Sequence, residues 1–353
     1  MIKPNPRSDP DKTLSRRQFL QLCGFGVAGL MLPNGLLLIS NWVNKEKSDL
    51  LGRVTLGGHP LYQRPVSTSR VLEEMDQDRV RSITQVAIGE DPSKINRIWY
   101  ELGGEGYAHS GRIQPVRHLL NGVRTAIPDG GCLGEITVPF VDAYNTMKAN
   151  RAIIYRFYYA STFWILDRVL DELGEVWYEL LDDRYYRTFF IPAETIRLVP
   201  DSELTAISPD VPEEEKKIVI DLAGQTLTAY EGEQVALMSR ISSGTRQPEG
   251  GFSTPTGYYR TTRKRPCRHM ASPPSEFGSG FDLPGVPWVS YFTGSGIAIH
   301  GSYWHNDFGI PYSHGCINMT PQAAKWVYLW TTPTVPPENY FYAGDHGTRV
   351  IVQ

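Results

Sequence analysis

Two stretches of this chain echo each other, and the echo restricts the fold more than any single residue does. Ile98–Leu102 (IWYEL) returns as Val176–Leu180 (VWYEL) seventy-eight positions later, and Gly52–Thr55 returns as Gly134–Thr137 after eighty-two. Each copy also closes alike, with Arg112–Val116 in the first and Thr195–Val199 in the second. Two consecutive units of about 65 to 80 residues follow, in the range of small single-core domains. Both consist of short β-branched and aromatic runs broken by Gly, Pro, Asp and Asn, which favours small β barrels over helices. Trp164–Leu173 departs from that pattern: its leucines and valine read either as a short helix or as a hairpin turning near Asp171-Glu172, and periodicity does not decide. Trp99, Tyr100, Tyr107, Trp177, Tyr178, Tyr185 and Tyr186 are expected mainly as core, a ligand groove being their other use.

The 353 residues suffice for two or three domains. Pro200–Lys217, with Pro209, Pro212 and the acidic run Glu213–Glu215, marks a boundary that buries little. The expected organisation is therefore an N-terminal segment over 1–45, units at 50–120 and 130–202, a linker at 203–215, and a third domain at 216–353. Hydrophobic content of 41% and charged content of 21% describe folded protein. A formal charge of −3 offers no basic field for nucleic acid.

Leu14–Leu20 (LSRRQFL) carries a twin-arginine pattern, after a segment in which Lys3, Arg7, Lys12, Arg16 and Arg17 outnumber Asp9 and Asp11. An apolar, glycine-bearing stretch follows to about Ile39 and is interrupted by Gln21, Pro33 and Asn34. Export by the twin-arginine route is expected, with retention of the segment as a membrane tether left open. In such a compartment Cys132 and Cys267 could form a bridge, but they fall in separate domains and are expected as free thiols.

Near the C-terminus His300 closes the apolar run Gly296–Ile299, and sixteen residues on comes Cys316 within Ser313-His314-Gly315-Cys316-Ile317-Asn318. A thiol with imidazoles nearby is what nucleophilic acyl transfer needs. Cysteine attacks as thiolate, and an unperturbed pKa near about 8.5 leaves little of it at neutral pH unless an imidazolium lowers it. Gly315 lets a carbonyl approach the amide groups at 314–316, the candidate oxyanion donors. The same His300, His305, Asp307, His314 and Cys316 could instead hold zinc, although no helical i,i+4 pair or CxxC unit supports that reading and Gly315 has no part in it.

At these residues the chain closely resembles the L,D-transpeptidase (YkuD-type) catalytic domain. The resemblance runs from about Lys216 to the C-terminus and includes Ile218–Tyr230 and Ser253–Gly257. It implies a mainly β fold: a YkuD-like β-sandwich with a short helix after the nucleophile loop, preceded by two units similar to bacterial SH3-like barrels. It also implies Cys316 as nucleophile, His300 as general base and acid, and His314, Gly315 and Cys316 around the oxyanion hole. Ser313, Asn318 and Gly301 would provide polar or close-packed support. The implied partner is the peptidoglycan stem peptide, acted on outside the membrane without cofactor or metal, by a monomer. Crosslinking, hydrolysis in the manner of an L,D-carboxypeptidase, and an inactive wall-binding adaptor remain three outcomes of one scaffold.

Within the third domain, Lys216–Leu222, Thr226–Tyr230 and Val235–Ser243 read as a β meander. Arg263–Pro287 is its least strand-like part and a candidate lid, its basic residues available to substrate carboxylates. Trp288 and Tyr291 are expected to wall the cleft. Thr320-Pro321 opens a helix, threonine as N-cap and proline in the first turn.

Overall fold

The structure, a computed structural model, describes residues 50–148, 150–245, 252–273, 280–344 and 346–353. The twin-arginine segment lies outside them; among the described residues no helix is long and apolar enough to cross a membrane. The first unit contains β1 (Leu51–Val54), β2 (His59–Tyr62), β3 (Val71–Met75), β4 (Val80–Ile88), β5 (Ile98–Leu102), β6 (Gly106–His109) and β7 (Ile113–Val116). The second contains β8 (Cys132–Ile136), β9 (Phe140–Tyr144), β10 (Ile153–Tyr158), β11 (Thr162–Leu170), β12 (Val176–Asp182), β13 (Arg187–Pro192) and β14 (Ile196–Leu198). Strand order is β3-β2-β6-β5-β4-β1-β7 in one and β10-β9-β13-β12-β11-β8-β14 in the other, the same order shifted by seven.

The sequence echo is thus an echo of topology, with IWYEL as β5 and VWYEL as β12. Trp99, Tyr100, Trp177 and Tyr178 are buried in these strands, whereas Tyr185 and Tyr186 are exposed. The hairpin reading of Trp164–Leu173 is the one the chain adopts: β11 ends at Leu170, and Asp171 Oδ1 accepts the N–H groups of Leu173 and Glu175, 2.9 Å each, to hold the turn.

The third domain is a sandwich of two five-stranded sheets. One has the order β17-β16-β15-β24-β18, from β15 (Lys216–Asp221), β16 (Thr226–Glu231), β17 (Gln234–Arg240), β18 (Gly257–Arg260) and β24 (Arg349–Val352). The other has the order β22-β21-β20-β19-β23, from β19 (Arg263–Ser272), β20 (Phe281–Tyr291), β21 (Ala298–Gly301), β22 (Ile317–Met319) and β23 (Tyr342–Ala343). Ile218, Ile220, Leu227, Ile299, Ile317 and Met319 meet between them, fully buried; each such aliphatic side chain contributes about 1.5–3 kcal/mol.

Helix α1 (Pro321–Trp330) follows β22, an edge strand of the second sheet. Thr320 Oγ1 accepts the Ala323 N–H at 3.3 Å, an N-cap contribution of about 1 kcal/mol. Two buried lysines close its other end. Lys264 Nζ donates to the carbonyls of Tyr328, Thr331 and Pro333, and Lys216 Nζ to that of Trp330.

One expectation is overturned. Arg263–Pro287 is not an irregular lid but the longest hairpin among the described residues, β19 against β20 over ten and eleven residues. Its composition resembled a solvated loop because its charges are paired across an interface: Arg265 and Arg268 both bind Asp183 Oδ2 in the second unit, at 2.9 and 2.7 Å. Residues 203–215, expected as a linker, bury one side chain and make a few contacts with both neighbours. Leu204 joins the main core, Ile207 N–H donates to Leu329 at 3.0 Å, and Glu203 takes both Arg197 and Lys325.

The second unit and the third domain therefore share one core, to which Leu133 and Trp164 contribute beside Ile218 and Trp288. Gly285, at φ +71°, marks how closely they pack, since a Cβ there would lie 2.3 Å from the Phe163 ring. Cys132 and Cys267 are free thiols.

Candidate active site

β21 and β22 run parallel in the register Ile299↔Ile317, His300↔Asn318 and Gly301↔Met319. Because side chains alternate, Ile299, Ile317 and Met319 turn inward to the core, and His300 and Asn318 share the opposite face. Cys316 precedes the first paired residue. Continuing the register sets it beside Ala298, with which it shares an apolar cluster including Val286, Val289, Tyr291 and Trp304. His300 and Cys316 thus occupy one face on a diagonal, a spacing of about 7–8 Å along the backbone that side chains can close.

Hydrogen bonding fixes the imidazole's tautomer. His300 is 3% exposed, and its Nδ1 lies 3.0 Å from the Gly301 carbonyl, which can only accept. Nδ1 therefore carries the proton and Nε2 keeps its lone pair. Burial pushes this imidazole down to about 4, against a small opposing effect of the Gly301 bond, so it is neutral at physiological pH.

The thiol moves in the direction opposite to the sequence expectation. Burial raises Cys316 to about 11, only partly offset by a hydrogen bond from the Ala298 N–H. Among the described residues the thiol and the His300 imidazole share no hydrogen bond in this resting arrangement. The site at rest is a neutral thiol beside a neutral base, rather than a preformed thiolate–imidazolium pair, because both groups sit among apolar side chains that penalise charge.

The loop that carries Cys316 is anchored from below. Ser313 Oγ accepts the Gly315 N–H at 3.1 Å and donates to the Cys316 carbonyl at 2.5 Å. Thr254 Oγ1, buried, donates to the Gly315 carbonyl at 2.8 Å and accepts the Gly244 N–H at 2.9 Å. Gly315 has φ +113°, yet a Cβ there would make only ordinary contacts; the position demands the backbone conformation rather than empty space. Gly301 packs its α-carbon against Pro287 and Pro321.

Asn318 is bonded by its backbone in both directions to Ser242, and its carboxamide meets His305 Nε2 at 3.1 Å. His305 Nδ1 accepts the Asp307 N–H at 3.3 Å. Both of its ring nitrogens are thus engaged within the protein. Burial pushes His305 down to about 3.

The structure separates the remaining candidates. His314 is exposed and flanked by the rings of Phe252 and Phe281, at centroid distances of 4.3 and 5.1 Å. Tyr291 packs in the cluster around Cys316 under the Arg263 guanidinium. Trp288 does not wall a cleft: it is 1% exposed, packed in the core on Tyr328 with Lys325 over its ring. Residues that sequence reasoning passed over include Trp304, whose ring lies 5.8 Å from that of His300, and Tyr303 beside it. Thr254 fell in a segment already noted for the resemblance; Trp304 offered no signal.

Residues 215–352 match the family described as the L,D-transpeptidase catalytic domain, YkuD. No curated protein matches the sequence. Among solved structures, the chain is similar to a mutant Enterococcus faecium L,D-transpeptidase, at 24% identity, covering 39% of this chain and 50% of that one with a TM-score of 0.31. It is similar also to the NMR structure of the catalytic domain of the E. faecium enzyme, at 27% identity over 40% of this chain and 98% of that one, TM-score 0.30. For an L,D-transpeptidase from Mycobacterium smegmatis the values are 20%, 50%, 90% and 0.32. The chain spans half the length of the first of these. Residues 215–352 constitute a YkuD L,D-transpeptidase catalytic domain.

Proposed function

We propose that the protein is a cysteine-dependent L,D-transpeptidase that crosslinks peptidoglycan stem peptides through a thioester on Cys316. The observation that carries this reading is the Nδ1 bond of His300 to the Gly301 carbonyl, which leaves Nε2 as an unprotonated base on the face that Cys316 shares. In the first step His300 Nε2 takes the thiol proton as sulfur attacks the carbonyl of an L-centre residue, so the thiolate exists only with its base in place.

Gly315 N–H is already bound by Ser313, so the amides of His314 and Cys316 are the donors for the oxyanion. Collapse breaks the amide bond; the imidazolium returns its proton to the departing D-amino acid amine, and the thioester remains. An acceptor amine then attacks the thioester, His300 takes its proton, and sulfur leaves as thiol. Water in place of that amine gives the carboxypeptidase outcome.

The twin-arginine pattern supports a site of action outside the membrane, and the two N-terminal units, proposed as SH3-like modules, come between that pattern and the catalytic domain in the sequence. The test is exposure of the purified protein to a carbapenem, followed by intact mass. The expected result is one adduct, lost in Cys316→Ala; a folded protein that gains no adduct would favour the adaptor reading. Defined tetrapeptide stems then distinguish dimers, the expected product, from tripeptides.

A further inference from the structure

Between Gly301 and Ser313 the chain has no strand or helix. Yet this segment must hold Trp304 against the His300 ring and within the cluster that contains Cys316. A loop without a ladder of its own needs outside partners, and beside those of its own domain, such as the Ile241 carbonyl that accepts the Gly309 N–H, the first N-terminal unit supplies several. Arg53 on β1, 1% exposed, donates from Nη2 to the Tyr303 carbonyl at 2.7 Å. Its Nε and Nη2 also bind Gln114 Oε1, at 3.1 and 2.8 Å, and its Nη1 binds Asp78 at 2.9 Å.

The guanidinium lies 4.0 Å from the centre of the Tyr158 ring of the second unit, and that ring stacks on Tyr303. Tyr303 is fixed further by its hydroxyl, 2.7 Å from the Pro284 carbonyl, and meets Trp304 edge-on at 5.0 Å. Three residues on, Asn306 N–H donates to the Gly111 carbonyl at 2.9 Å, and its carboxamide to that of Ile113 at 3.2 Å. Asn96 then donates to Asp307 Oδ1 at 2.8 Å.

We propose that Arg53 is a positioning residue for the catalytic base, acting from a separate unit through Tyr303 and Trp304. The first unit is then part of the catalytic apparatus rather than a spacer: it sets the segment that covers His300 and keeps its Nε2 directed along the face shared with Cys316. This inference rests on the proposed Cys316–His300 chemistry. Without the first unit, the segment that covers His300 would lose its Arg53 and Gly111 tethers. Geometric looseness of this kind costs rate rather than affinity.

The test compares full-length wild type, Arg53→Gln, Arg53→Lys and Arg156→Gln in carbapenem acylation of Cys316, timed by intact mass between about pH 5 and 8. Arg156 joins Asp78 to Asp142 across the same junction without touching the segment, so its variant should react at the wild-type rate. Arg53→Gln is expected to slow acylation about tenfold or more. It should also introduce a protonation step near the ordinary histidine value of about 6.5, as His300 gains access to water. Arg53→Lys should recover part of the rate.

If Arg53→Gln does not fold, Asn306→Ala removes a neighbouring tether while keeping the guanidinium, and should show the same acidic step with a smaller loss of rate. A folded Arg53→Gln or Asn306→Ala with wild-type rate and pH profile overturns the inference. So does an equal loss in Arg156→Gln, which would assign the effect to general packing. A wild type that is never acylated at Cys316 instead overturns the function on which the inference rests.

Discussion

At Cys316 and His300 the protonation states are set by desolvation. The thiol is held neutral by burial, and the imidazole is held neutral by the same cause acting in the opposite direction on its pKa. Alkylation of Cys316 by a small haloacetamide should therefore rise by nearly tenfold per pH unit from about pH 6 to 9, without a plateau, because the thiolate fraction keeps growing up to about 11. A plateau near neutrality would mean a preformed ion pair. His300→Ala should slow acylation by about 10²–10⁴-fold with the fold retained, the usual contribution of a positioned general base. If only His314→Ala had that effect, the base would be misassigned.

The roles proposed for these two residues rest on a sequence signal, their spacing and the SHGC string. The direction of the thiol shift was not legible there, because it depends on Val286, Val289 and Ala298, which reach Cys316 only through pairing of β20, β21 and β22.

At the scale of elements, the parallel pair β21–β22 and the loop below it do the positioning. The buried Thr254 hydroxyl serves both the Gly315 carbonyl and the Gly244 N–H. Thr254→Val keeps the shape but leaves both groups unpaired, at a cost of about 1–3 kcal/mol. The expected result is a lower melting temperature together with slower acylation, and Thr254→Ser should restore most of both. Unchanged acylation in Thr254→Val would detach this hydroxyl from the nucleophile loop.

The helix after Cys316 was readable from Thr320-Pro321, a local signal that local physics honours. The β19–β20 hairpin was not, because the partners of its arginines lie some eighty residues earlier in the chain.

Among the described residues the second unit shares a core with the third domain, and the first unit, with a core of its own, joins it through buried hydrogen bonds. At the seam between the second unit and the hairpin, His269 lies between two carboxylates, its Nδ1 2.8 Å from Asp182 and its Nε2 facing Asp282. Burial alone would lower its pKa, but the hydrogen bonds to Asp182 and Asp282 outweigh that and raise it. The stability this contributes is complete below the unfolded value of about 6.5 and is lost as pH rises through the folded value.

The melting-temperature gap between wild type and His269→Gln should therefore be widest at acidic pH and narrow on the alkaline side. A gap independent of pH would remove the charge from the seam. His300 and His305 work in the other sense, since their lowered pKa values make stability fall as pH drops from about 6.5 towards about 4. The repeated units were visible in the sequence as an echo. Their docking on the catalytic domain was not, because it depends on single buried groups such as Arg53 and Asp183 that no pattern marks.

The most direct measurement is rapid-quench peptide mapping of the protein mixed with a tetrapeptide stem donor and no acceptor amine. The account predicts the donor's acyl mass on the peptide containing Cys316, absent in Cys316→Ala and slow to appear in His300→Ala. An acyl mass on any other residue, or turnover of the stem by Cys316→Ala at the wild-type rate, would contradict it.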